Sequence, residues 1–220
     1  MTKAVIFDHD GILVDSEPLH KIAWKRTFAP MGINVTEDEL NANIGKSDQI
    51  FTEYIIQTHS LDAHFSDILL LKRRHMRELM ENESALFPGV PELVETLASL
   101  AMRLGIASSA KRDEIQITFD RFGYEKYFSA VVSADDVQHH KPHPEPYELC
   151  CEQLGVAPVD AVAIEDSPAG IESARQAGLY VIAAATSFAP ARLAQAHAVI
   201  TNFKDTAGIV SLIINRPLPH

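Results

Sequence analysis

Six short apolar runs, Ala4–Phe7, Arg103–Ala107, Ala130–Val132, Ala161–Ile164, Tyr180–Ala184 and Ala198–Ile200, are separated by segments with helical spacing. That alternation is the signature of a parallel sheet with helices on both faces, and it restricts the chain to an α/β, doubly wound class. Val90, Leu93, Val94, Leu97 and Leu100 recur at helical intervals, with Pro91 in the first turn, where its missing N–H costs nothing. Ser167-Pro168 caps a further helix with Ile171 and Ala174 on its apolar side, and Gly178 stands where a left-handed stop is expected.

One interval breaks the alternation. From Ser16 to Ala85 every periodic segment reads as helix: one opened by Pro18 and carrying Leu19, Ile22 and Ala23, one over Asp48–Gln57, and one over Asp67–Glu81. Their apolar faces can pack on one another as a small bundle. We therefore expect a core of residues 1–15 and 86–220 and a helical cap of residues 16–85. An insertion at this point is placed over the carboxyl ends of the strands, where open α/β sheets bind ligands, so a lid that excludes water on closure is expected.

Charge narrows the partners. With 19 basic and 30 acidic residues among 220, a net charge of -11, the chain has no cationic stripe for a nucleic-acid backbone. No run approaches the roughly 18 apolar residues of a membrane span. Cys150 and Cys151 are adjacent, unsuited to an ordinary disulfide or a zinc site, and read as buried thiols in a reducing compartment. A cytoplasmic monomer acting on a small molecule is the expectation.

The chemistry concentrates at strand ends. The first strand runs into Asp8-His9-Asp10-Gly11, placing two ionisable groups at the ligand-binding edge, where carboxylates are costly to bury without a compensating cation. A lone D-x-D-G is most simply a turn with two solvated acids. Three further signals follow in order, however, each read as ending a strand: Ser108 after Gly105-Ile106-Ala107, Lys141 opening Lys141-Pro142, and Glu165-Asp166-Ser167-Pro168 after Ile164.

This set resembles the haloacid dehalogenase superfamily, in the helical-cap branch that holds β-phosphoglucomutase and many sugar phosphatases. Phe87-Pro88-Gly89-Val90 matches the segment that returns from cap to core, and Lys141-Pro142-His143-Pro144-Glu145 matches the usual K-P-x-P-[DE]. The resemblance implies a Rossmann-like core and a Mg2+-dependent phosphatase acting on a small phosphorylated metabolite. It implies that Asp8 is a nucleophile forming an aspartyl-phosphate and that Asp10 is its acid–base partner. Ser108 and Lys141 are then holders of phosphoryl oxygens. Asp8, Asp10 through its backbone carbonyl, Asp166, and Glu165 through water are then the surroundings of the metal.

The alternative is a hexose-phosphate mutase sharing the same motifs. His20 and Trp24 lie one helical turn apart in a segment resembling that of β-phosphoglucomutases, and His20, Trp24, Lys46, Lys72 and Ser109 are the implied substrate contacts. Against mutase chemistry, Asp48 stands where those enzymes place an arginine for a distal phosphate. Lys46 or the group Lys72, Arg73, Arg74 and Arg77 offers replacement charge, although such a group more often forms a solvated helix face. His9 replaces a commonly apolar residue and either packs in the core or approaches the cap, with an imidazole that titrates near neutral pH. His139, His140 and His143 beside Lys141 read as surface histidines of a loop, with a soft-metal site as the alternative.

Overall fold

The computed structural model describes residues 2–42 and 47–217. Along the chain come β1 (Ala4–Phe7), α1 (Glu17–Phe28), α2 (Glu37–Asn41), α3 (Asp48–Thr58), α4 (Phe65–Glu83), α5 (Val90–Ser99) and β2 (Arg103–Ala107). After these come α6 (Arg112–Phe122), β3 (Phe128–Val132), α7 (Glu145–Leu154), β4 (Ala161–Glu165), α8 (Pro168–Gln176), β5 (Tyr180–Ala184), β6 (Ala198–Ile200) and α9 (Thr206–Ile214). Contacts divide the chain into two compact units, Met1–Asp15 with Ala85–His220, and Ser16–Ser84.

In the first unit the described strands form one six-stranded sheet in the order β3-β2-β1-β4-β5-β6, every pair parallel. The sheet grows one way from β1 to β2 and β3, and the other way through β4, so a switch point falls between β1 and β4. Every residue of β1 and β4 is buried, as strands covered on both faces require. Tyr147, Cys150, Cys151 and Leu154 of α7 join Ile171 and Ala174 of α8 in the core cluster with Ala4, Ile6 and Ala163. Burial pushes both thiols up, Cys151 to about 12, so neither is a thiolate at neutral pH.

Local chemistry accounts for most boundaries. Ser167 caps α8 by accepting from Gly170 N, and Gly178 beyond its end has a φ of 88°. β3 starts at Phe128, earlier than the apolar run from Ala130. The Phe128 ring packs edge-on against Phe7 at 5.8 Å and stacks on Phe119 at 5.8 Å, which keeps exposed Ser129 inside the strand. Where the chain leaves the sheet unit and returns to it, Val14 bridges Leu86, Asp15 N donates to Ala85 O at 3.0 Å and Phe87 N donates to Leu13 O at 3.2 Å.

The second unit is helical. Trp24 stacks on Phe28 at 5.6 Å and meets Phe51 edge-on at 4.9 Å, and Val35, Leu40, Ile55 and Ile68 complete its core. Thr36 and Glu39 form a capping box at the start of α2, and Ser47 caps α3. α4 extends beyond the expected Asp67–Glu81 at both ends. Arg73, Arg74 and Arg77 are exposed on it, but Lys72 is buried, which corrects the expectation that all four form a solvated face.

Candidate active site

Asp8 follows β1 directly, and its backbone N donates to Ile164 O of β4 at 2.9 Å, so the first carboxylate stands at the switch point. Asp166 follows β4. Asp8, Glu165 and Asp166 are buried, and their carboxylates offer oxygens that all lie within 4.8 Å of one another. Lys141 Nζ donates to Asp8 Oδ1 at 2.9 Å and to Glu165 Oε1 at 2.6 Å from a side chain only 5% exposed. It does not open at a strand end as expected: β3 closes at Val132, and a loop carries Lys141 to the site. Ser108 is buried just past β2, with its N donating to Val132 O and its hydroxyl accepting from Ala110 N at 3.0 Å. Ser109 is exposed.

One lysine does not balance three buried acids. Burial raises the Asp8 carboxyl to about 6; Lys141 works against that shift and Glu165 with it. Asp166 is pushed well above the usual carboxylate range by burial and then by Glu165 and Asp8. Burial alone would lower the Lys141 ammonium, but Asp8 and Glu165 outweigh it and hold it above its ordinary value. A hard divalent cation fits this cluster, because it takes oxygen ligands and supplies the positive charge that the acids lack.

Glu165 is already heavily engaged. Its Oε1 accepts from Lys141 and from the Tyr147 hydroxyl at 2.8 Å, and its Oε2 accepts from Asp166 N at 3.0 Å and from Ser167 N and Oγ, each at 3.2 Å. A Cβ on Gly170 would sit 1.8 Å from Glu165 Oε1, so only glycine admits the carboxylate at the start of α8. Gly11 has a φ of 75°, and a Cβ there would fall 1.9 Å from Asp166 Oδ2. Thr186 Oγ1 donates to Gly11 O at 2.6 Å, and the Ser187 hydroxyl donates to Asp166 Oδ2. Tyr147, Thr186 and Ser187 were not among the sequence candidates. Thr186 and Ser187 follow β5 closely, so reading that strand's carboxyl end as the others were read finds them.

Asp10 lies beyond Asp8 on the same turn with its side chain 37% exposed, and His9 between them is wholly buried. His139 and His143 stack at 4.5 Å. Glu145 lies with them and His140 does not. The Glu145 carboxylate accepts from Gln138 N and His139 N, each at 2.9 Å, and pairs with His139 Nδ1 at 2.7 Å, while Glu145 N donates to His143 Nδ1. These polar groups satisfy one another, and together they tie the loop around Lys141 to α7.

In the helical unit Lys72 Nζ donates to His20 Nδ1 at 2.9 Å and to Asp48 Oδ2 at 2.7 Å, and lies 5.4 Å from the centroid of the Trp24 ring. His20, Trp24 and Lys72 are thus brought together, and Asp48 supplies a carboxylate to the lysine. Lys46 lies outside the described residues.

A "Phosphorylated carbohydrates phosphatase" of Thermotoga maritima is 35% identical over 181 residues, covering 80% of this chain and 82% of that protein. A "Fructose-1-phosphate phosphatase" of Escherichia coli is 30% identical over 175 residues, covering 80% and 92%. The crystal structure of CbbY from Rhodobacter sphaeroides in complex with phosphate superposes with a TM-score of 0.79 at 28% identity, covering 93% of this chain and 96% of that one. The family model described as haloacid dehalogenase-like hydrolase matches residues 5–184, from β1 to the end of β5, and the chain belongs to that family.

Proposed function

We propose that this protein is a Mg2+-dependent phosphatase of small phosphate monoesters, with sugar phosphates as the leading substrate class. The observation that carries the reading is the convergence of Asp8, Lys141 and Asp166 in a buried, electronegative cluster at the β1–β4 switch point. The names of the phosphorylated-carbohydrate and fructose-1-phosphate phosphatases support the substrate class.

In the first step an Asp8 carboxylate oxygen attacks phosphorus, the bond from phosphorus to the substrate oxygen breaks, and Asp10 gives that oxygen a proton. In the second step Asp10 takes a proton from water, whose oxygen bonds to phosphorus as the Asp8–phosphorus bond breaks, releasing inorganic phosphate and free Asp8. Lys141 and Ser108 hold phosphoryl oxygens, Lys141 as a compact positive charge. Asp8, the Asp10 carbonyl and Asp166 would hold Mg2+, which supplies charge stabilisation for the phosphoryl group. Glu165 contributes its charge and steadies Lys141, since its oxygens already carry protein donors. His20, Trp24, Lys46, Lys72 and Ser109 are proposed substrate contacts.

Water rather than a second sugar is the acceptor in this reading, because the Lys72 ammonium is paired with Asp48 and so is poorly suited to hold a distal phosphate. Phosphate release should be assayed over sugar phosphates, nucleotides and phosphorylated acids with Mg2+. Release from sugar phosphates, abolished by chelator and restored by Mg2+, is expected. Conversion of β-glucose 1-phosphate to glucose 6-phosphate without net release would instead select the mutase.

A further inference from the structure

His9 separates the two aspartates on the β1 turn and is 0% exposed. Its Nε2 lies 2.8 Å from Oγ1 of Thr118 on α6, which is also fully buried. Its Nδ1 lies 3.4 Å from Asp10 Oδ2, beyond good hydrogen-bond length, and has no closer hydrogen-bond partner among the described residues. A buried ring nitrogen in that condition is uncommon and calls for a reason, whether stored strain, a bound water or ion, or a contact completed during function. The imidazole is gripped by Thr118 and surrounded by core. The Asp10 side chain is 37% exposed against 1% for that of His9, so closing the gap falls to the carboxyl group.

We propose that His9, braced by Thr118, is a positioning residue that turns the Asp10 carboxyl toward the leaving oxygen of the substrate. The contact shortens when substrate is bound, as catalytic hydrogen bonds that are long in a free enzyme do. Its proton count is unchanged by the step: the proton that reaches the leaving oxygen is the one on Asp10, while phosphorus gains its bond to Asp8 and loses its bond to that oxygen. The inference rests on the reading of Asp10 as proton donor.

The test is how the rate of Asp8 phosphorylation depends on the leaving group, measured in single turnovers. A sugar alkoxide needs a proton to depart; p-nitrophenolate does not. For His9→Phe we expect a fall of about 10- to 100-fold with a sugar phosphate and less than about threefold with p-nitrophenyl phosphate, with KM little changed, since misplacing a catalytic group by an ångström can cost about 100-fold. His9→Asn keeps an amide near the Nδ1 position and should recover most of the loss. Thr118→Val leaves the imidazole but removes its brace, so it should shift the same ratio in the same direction, and it decides the matter alone if His9→Phe does not fold. Equal slowing of both substrates, or of neither, in the His9 and Thr118 variants would overturn the proposal, provided Asp10→Asn shows the leaving-group dependence. If Asp10→Asn treats both substrates alike, the role of Asp10 falls and this inference falls with it.

Discussion

Lys141 serves Asp8 and Glu165 at once, so a single side chain carries two buried ion pairs. Replacing it by Met leaves two buried carboxylates without their cation. Breaking a buried pair in this way costs about 3–5 kcal/mol, so urea denaturation of metal-free Lys141→Met should show a loss of that order. Part of it should return when Mg2+ is added; a variant as stable as the parent without metal would contradict the electrostatic account. At this scale the positions of Asp8, Asp10, Ser108 and Asp166 just past strands were legible in the sequence, because each follows an apolar run directly or within the same turn. Tyr147 and Ser187 were not, since their significance lies in Glu165 and Asp166, which they meet only after folding. Lys72 misled for a related reason. Its neighbours Arg73, Arg74 and Arg77 are solvated, and only the positions of Asp48 and His20 reveal that it is not.

Among the elements, the start of α8 carries the most consequence per residue. Ser167 both caps the helix and touches Glu165, and Gly170 leaves the room that the same carboxylate fills. Ser167→Ala should cost about 1 kcal/mol, the usual value of an N-cap. Gly170→Ala forces Glu165 aside and should cost about 1–3 kcal/mol by overcrowding, with a larger fall in kcat because Lys141 loses its anchor. Thermal melts paired with steady-state kinetics check both; a Gly170→Ala enzyme with unchanged kcat would show that Glu165 does not position Lys141. The strands were readable because parallel strands buried on both faces are continuous apolar runs, as in Ala4–Phe7 and Tyr180–Ala184. β3 was readable only in part: Ser129 interrupts its pattern, and aromatic contacts between distant residues hold its first turn of chain in the sheet. The loop bearing Lys141 has no periodic signal, and its anchor on Glu145 is a matter of backbone hydrogen bonds.

For the whole molecule, the strand order brings Asp8 and Asp166, remote in sequence, just beyond the ends of the adjacent parallel strands β1 and β4, and the proposed metal site rests on that convergence. No helix among the described residues is long and apolar enough to cross a membrane. A ligand that binds only the folded state at a hundred times its dissociation constant stabilises by about 2.7 kcal/mol. Mg2+ should therefore raise the melting temperature of the parent protein and leave Asp166→Asn nearly unmoved; equal shifts in both would place the ion elsewhere. The doubly wound class was legible from strand alternation, whereas the hydrogen-bonded return at Val14 and Leu86 required coordinates. The central claim is that Asp8 itself becomes phosphorylated. Rapid acid quench of the enzyme during turnover of a sugar phosphate, followed by peptide mass mapping, is expected to find one phosphoryl group on Asp8 and none in Asp8→Asn. A phosphoryl group on another residue, or Asp8→Asn turning over at the parent rate, would contradict the account.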